Sequence, residues 1–246
     1  MDHQPAGRYC GLDNPPLFMI GLHVDSVMKS FGTKQVLTDV YLSCRKGEVV
    51  GLLGRNGSGK STLLKIIFGS LTADRKFVTV DGKIPQGWFG NGKLLKYLPQ
   101  DGLLPDNLKI RIAINMLCDK QQAKLLLQHP CILPHMDKCC KHLSGGEKRL
   151  IEVLVLIHSE AKFVMIDEPF NGISPIYKDE IKRLILEQSE NKGFIVTDHD
   201  YRNILDVATR VVLIFDGGTK EMKNKGELVK WGYLPVNAWH DMAEAR

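Results

Sequence analysis

The chain has 246 residues, enough for one large domain or two small ones with a substantial buried core. Its 43% apolar and 25% charged residues are those of an ordinary soluble globular protein, and the net charge of +5 comes from scattered Lys and Arg, so no nucleic-acid partner is expected. No run approaches the roughly 18 uninterrupted apolar residues of a membrane span, and Met1-Asp2-His3-Gln4-Pro5 lacks the basic-then-apolar layout of a secretion signal.

Residues 1–18 hold three prolines and little periodic pattern, and read as an extension without a core of its own; the remainder, 19–246, reads as a single domain. From Met19 onward the texture changes. Leu22–Val27 and Val36–Leu42 alternate apolar and polar residues, as strands of a half-exposed sheet do. Lys46-Gly47-Glu48 makes a turn into the apolar run Val49–Leu53, a buried strand. Then comes Gly54-Arg55-Asn56-Gly57-Ser58-Gly59-Lys60-Ser61-Thr62, which fits the phosphate-loop spacing of Gly, four residues, Gly-Lys-Ser/Thr between a strand and a helix. The glycines let backbone N–H groups converge on an anion, and the helix that starts near Lys60 adds unpaired amides and the positive end of its dipole. Lys60 is then expected to reach the β- and γ-phosphates, and the Ser61 hydroxyl to sit on Mg²⁺.

Lys76–Val80 followed by Asp81-Gly82 predicts a strand and a tight turn. After Tyr97-Leu98-Pro99-Gln100 the pattern becomes helical over Leu108–Leu117 and Gln121–Gln128, a helical subdomain spanning about residues 101–158. Leu143-Ser144-Gly145-Gly146-Glu147 opens a helix running from Lys148 to about His158, apolar on nearly every side and hence buried; Ser144 and Glu147 have capping-box spacing. Phe163–Ile166, Phe194–Thr197 and Val211–Phe215 read as strands, Ile176–Ser189 and Tyr201–Ala208 as helices, and this alternation predicts an α/β core with a parallel sheet. At the end of the first of these strands stand Asp167 and Glu168, where ligands gather in such sheets. Asp167 is placed to hold the hydration shell of Mg²⁺, and Glu168 to orient or deprotonate an attacking water. The six cysteines, at 10, 44, 118, 131, 139 and 140, show no metal-ligand spacing and read as reduced thiols of a cytoplasmic protein.

Phosphate loop, Gln100, Leu143-Ser144-Gly145-Gly146, the Asp167–Glu168 pair and His199 occur in the order found in ATP-binding-cassette ATPases, and the resemblance covers about residues 20–220. It implies a P-loop NTPase core with an antiparallel β subdomain and a helical subdomain, working on ATP and Mg²⁺. It also implies roles by position. Phe31 would stack on adenine, and Gly54, Asn56, Gly57, Ser58, Gly59, Lys60, Ser61 and Thr62 would hold the phosphates. Ser61, Gln100 and Asp167 would serve Mg²⁺; Glu168, His199, Lys60 and Gln100 would take part in hydrolysis. Ser144, Gly145 and Gly146 would bind the γ-phosphate held by a second subunit, a homodimer being the simplest case. Such a cassette would sit on the cytoplasmic face of the cell membrane, docked on a separate transmembrane permease.

Ser174 stands where the family usually has Asp, a change that bears on coupling between the two sites of a dimer. The Glu168-Pro169-Phe170-Asn171-Gly172 and Thr197-Asp198-His199 stretches are similar to the ATPases of lipopolysaccharide export and branched-chain amino-acid uptake. The Lys148-Arg149 pair after the signature is also similar to soluble cassettes that assemble iron–sulfur scaffolds, the alternative reading. A GTPase is disfavoured, because Asn191-Lys192-Gly193-Phe194 lacks the carboxylate that reads guanine. The aromatic end, Trp231 to Trp239, is expected to pack back on the core.

Overall fold

The computed structural model describes residues 20–85 and 92–235, so the extension at 1–18 and Trp239 lie outside the described residues. Strands β1 (Leu22–Phe31), β2 (Lys34–Cys44) and β4 (Arg75–Val80) form an antiparallel sheet in the order β2-β1-β4. Strands β3 (Val49–Leu53), β5 (Leu95–Leu98), β6 (Phe163–Asp167), β7 (Gly193–Thr197), β8 (Arg210–Phe215) and β9 (Gly218–Met222) form the second sheet, in the order β5-β6-β7-β3-β8-β9. Its strands run parallel except β9, which turns back antiparallel on β8.

The parallel strands are buried on both faces, and their period of two splits them between two cores. In β6, Val164 and Ile166 face the layer of α4 (Gly145–Ile157), α5 (Pro175–Ser189) and α6 (Tyr201–Val207). Phe163 and Met165 face the antiparallel sheet and α1 (Lys60–Phe68). The same alternation places Leu53 on the first side and Leu52 on the second. Each such side chain contributes about 1.5–3 kcal/mol on burial, so the central strands are the most firmly held part of the molecule.

Helices α2 (Ile110–Leu117) and α3 (Lys120–Leu127) join α4 in the predicted helical region, with two short 3₁₀ turns at Leu133–His135 and Cys140–His142. Helix α4 begins at Gly145, three residues before the apolar pattern indicates, because Ser144 caps it: its Oγ accepts from the Glu147 amide while the Glu147 carboxylate accepts from Ser144 N–H. Two elements go beyond the sequence reading. Strand β9 follows a tight turn at Asp216-Gly217, and α7 (Lys225–Lys230) carries the chain back over the core. There Leu228 and Leu234 are buried, and Trp231 meets Phe215 edge-on at 5.8 Å, so the described part of this end, through residue 235, packs back as expected.

Candidate active site

Parallel strands end on one side, and four of them deliver the predicted chemistry there. Strand β3 leads into the phosphate loop, β5 into Pro99-Gln100, β6 into Asp167-Glu168 and β7 into Asp198-His199. Together they line a cleft of about 380 Å³ whose walls are Val36, Asn56, Gly57, Gly59, Lys60, Ser61, Thr62, Gln100, Glu168 and His199. With Val36 of β2, residues from five separate chain segments thus share one cavity.

The shape of the loop rests on contacts within the chain itself. Gly59 caps α1 with φ of 102°, a left-handed conformation, and a Cβ there would lie 2.7 Å from Leu37 Cδ2. Lys60 is buried and its Nζ donates to the carbonyls of Gly54 at 2.7 Å and Arg55 at 3.2 Å. Burial pulls its pKa below the ordinary lysine value, against the opposing pull of Asp167 and Glu168. From the other side, Arg55 Nη2 donates to Gly232 O at 2.9 Å, and Tyr233 hydrogen-bonds the Gly54 backbone, so the segment after α7 braces the loop.

Asp167 is 1% exposed. One carboxylate oxygen accepts from the Tyr97 hydroxyl at 3.3 Å, while the other, Oδ1, is buried without a hydrogen-bond partner. A buried, unpartnered carboxylate oxygen is costly unless something positive completes it. Ser61 in the cleft wall and this oxygen suit Mg²⁺, which takes one or two protein oxygens and completes its shell with phosphate and water. In keeping with that, no three His, Cys, Asp or Glu side chains gather as a metal cage among the described residues.

Glu168 is 4% exposed and has φ of 58°, a conformation that side-chain-bearing residues rarely adopt. Both its oxygens are engaged: Oε1 meets His199 Nε2 at 2.6 Å, and Oε2 accepts from Asn171 Nδ2 at 3.4 Å. Burial raises its pKa, partly offset by His199 and reinforced by Asp167 and Asp198. A raised pKa brings a carboxylate closer to the range where it accepts a proton near neutrality. Asp198 organises the neighbouring loop, accepting from the amides of Asp200 at 2.9 Å and Phe170 at 3.3 Å.

Seven predicted residues are not part of the cleft wall: Gly54 and Ser58 of the phosphate loop, Asp167 at the end of β6, and four that stand apart from it. Phe31 ends β1, 49% exposed, with Lys29 Nζ 5.0 Å from its ring centre. Ser144, Gly145 and Gly146 form the first turn of α4. A Cβ on Gly146 would lie 2.5 Å from Gly172 O, whereas one on Gly145 would meet nothing within 4 Å. Ser174 caps α5 by position only, making no side-chain cap bond. Sequence reasoning missed Tyr97 and the buried Arg149–Glu152 pair, whose partners are distant in sequence, and Asn171, three residues from its partner Glu168; only the two charges inside an otherwise apolar helix pointed to the pair.

Comparisons with known proteins identify the family. A family profile described as "ABC transporter" matches residues 37–171. The lipopolysaccharide export system ATP-binding protein LptB of Haemophilus influenzae is 31% identical over 233 residues, covering 87% of this chain and 96% of that protein. A probable ABC transporter ATP-binding protein of Azorhizobium caulinodans is 34% identical over 232 residues, covering 86% and 83%. Among solved structures, an ATP-binding subunit of an ABC transporter superposes with a TM-score of 0.76 at 21% identity, over 88% of this chain and 95% of that one. A nucleotide-free cassette gives 0.71 at 22%, over 87% and 96%. These last two speak for the fold alone. With the profile spanning over half the chain and the relatives nearly all of it, the protein is a member of the ABC transporter family, on its ATP-binding and ATP-hydrolysing side.

Proposed function

We propose that this cassette works in pairs beneath a separate membrane-spanning protein, converting ATP binding and hydrolysis into transport. The observation that carries the reading is the division of its parts: one cleft gathers phosphate loop, Gln100, Glu168 and His199, while Ser144-Gly145-Gly146 stands outside it on an open helix N-terminus. A second cassette, head to tail, would bring its own α4 N-terminus to the γ-phosphate.

In this reading the loop amides and Lys60 hold the phosphates, and Phe31 stacks on adenine. Lys60 must leave the carbonyls of Gly54 and Arg55 to do so, exchanging two neutral acceptors for anionic ones. Ser61, Asp167 and Gln100 would hold Mg²⁺, which when bound offsets phosphate charge. Glu168 takes the proton of the attacking water. His199, now 2.6 Å from Glu168, would turn to the γ-phosphate and release the carboxylate for that task. Residues 101–158 act as the helical subdomain that swings the signature toward its target. Among the described residues no helix is long and apolar enough to cross a membrane, so the span falls to the partner. The relatives named for lipopolysaccharide export favour an export-type cassette at the inner membrane face.

Purification from gently solubilised native membranes tests this. The expected result is a polytopic membrane protein in stoichiometric amount; soluble partners alone, after full extraction, would favour the scaffold-assembly alternative.

A further inference from the structure

The α4 helix carries one buried ion pair among its apolar residues. Arg149 is 7% exposed, and its guanidinium enters between the ends of β5 and β6. Nη1 donates to Pro99 O at 2.8 Å; Nε and Nη2 donate to Glu168 O at 3.3 and 3.2 Å, and Nη2 also reaches Asp167 O. One turn further, Glu152 stands 3.7 Å from Arg149, and its Oε1 accepts from the amides of Leu103 at 2.7 Å and Leu104 at 2.8 Å. The pair therefore grips the chain on both sides of Gln100 and the carbonyls of both acidic residues.

Burying two charges is expensive, and packing alone would be served as well by apolar residues of similar size. Every carbonyl that Arg149 holds belongs to a segment bearing a predicted site residue. Glu168 is the clearest case. Its left-handed backbone persists only if its surroundings impose it. Thr197 O holds its amide at 2.8 Å, and Arg149 alone supplies side-chain donors to its carbonyl among the described residues.

We propose that Arg149 is a positioning residue: it holds Glu168 in the left-handed conformation that aims its carboxylate into the cleft, and fixes the Gln100 loop to the same strand end. This rests on the reading of Glu168 as the water-activating group. Without the guanidinium, Glu168 relaxes toward an ordinary φ and its carboxylate swings off the cleft. The phosphate loop makes none of these contacts, so nucleotide binding is retained.

Arg149→Lys keeps a positive charge beside Glu152 but offers one nitrogen for three carbonyls. In the full-length protein its kcat is expected to fall about tenfold or more, since misplacement by an ångström is enough for that, while ATP affinity by calorimetric titration stays within about twofold. Arg149→Met with Glu152→Gln removes both charges and keeps an acceptor for Leu103 and Leu104. Its thermal midpoint is expected to recover relative to Arg149→Met alone, and its kcat to stay low. Recovery of kcat along with the midpoint would overturn the proposal, as would a lysine variant that either turns over at the parent's rate or loses kcat and ATP affinity together. If the double variant does not fold, the lysine variant decides. Glu168→Gln separates the two layers: full turnover there defeats the reading of Glu168 itself, whereas a dead Glu168→Gln beside a fully active Arg149→Lys defeats only the positioning role.

Discussion

The phosphate loop and the N-terminus of α4 are both glycine-containing helix starts, yet they are built to different ends. Around the loop four groups are held by the chain itself: Lys60 on two carbonyls, Gly59 against Leu37, Arg55 on Gly232, Tyr233 on Gly54. At α4 one glycine, Gly146, is packed against Gly172 O, and the next, Gly145, faces open space beside a fully capped Ser144. The loop is a finished binding surface within one chain. The α4 end is capped by its own residues and leaves a face free, as the proposed shared site requires.

The largest effect that separates the two regions is at the cleft. Glu168→Gln should lower turnover by about 10²–10⁴-fold, the usual worth of a general base, with ATP binding unchanged in an equilibrium titration. Unchanged turnover would mean that the cleft works through another group.

The paired substitutions at α4 sharpen the contrast directly. Gly146→Ala forces a Cβ onto a backbone oxygen 2.5 Å away, and should cost about 1–3 kcal/mol in urea unfolding. Gly145→Ala has room and should leave stability unchanged, yet lower turnover about tenfold or more if a phosphate must approach that close. Equal stability losses at both positions would break the open-face interpretation.

A smaller effect belongs to Phe31, which lies outside the cleft wall. Phe31→Ala should weaken ATP binding by about 1 kcal/mol, the scale of one stacking contact, measurable as a rise in Kd with kcat preserved. The smallest concerns the α4 cap. Ser144→Ala should cost about 1 kcal/mol of stability. The Ser144 amide holds the Glu147 carboxyl below its ordinary value of 4.5. A depressed folded value means stability that is present above 4.5 and lost as pH falls through the folded pKa. The difference in midpoint between the parent and Glu147→Gln should therefore be full at neutral pH and close in acid.

What could be read from the chain follows the same division. The phosphate loop is nine consecutive residues whose spacing is the mechanism, and the apolar runs at β3, β6 and β7 needed only their period and length to be recognised. The α4 start was misplaced by three residues because hydrophobicity marks where a helix is buried, while the cap at Ser144 marks where it begins. Strand β9 and α7 are short and half-exposed, so their patterns carry little apolar signal. Tyr97 on Asp167 and Arg149 on Pro99 join β5, β6 and α4, contacts that only the folded sheet order creates, while Asn171 reaches Glu168 within the loop after β6, a local contact that no apolar pattern marks.

If the cleft of one chain is completed by the α4 end of another, as proposed, two crippled chains should rescue each other when mixed. Lys60→Ala disables the loop, and Gly145→Arg blocks the open face without touching the cleft. Each alone should be silent; mixed, they form pairs in which one composite site has both intact halves, and ATP turnover should return. Gly145→Arg alone turning over at the parent's rate, beside a parent whose specific activity does not change with protein concentration, would show that a single chain does the chemistry unaided.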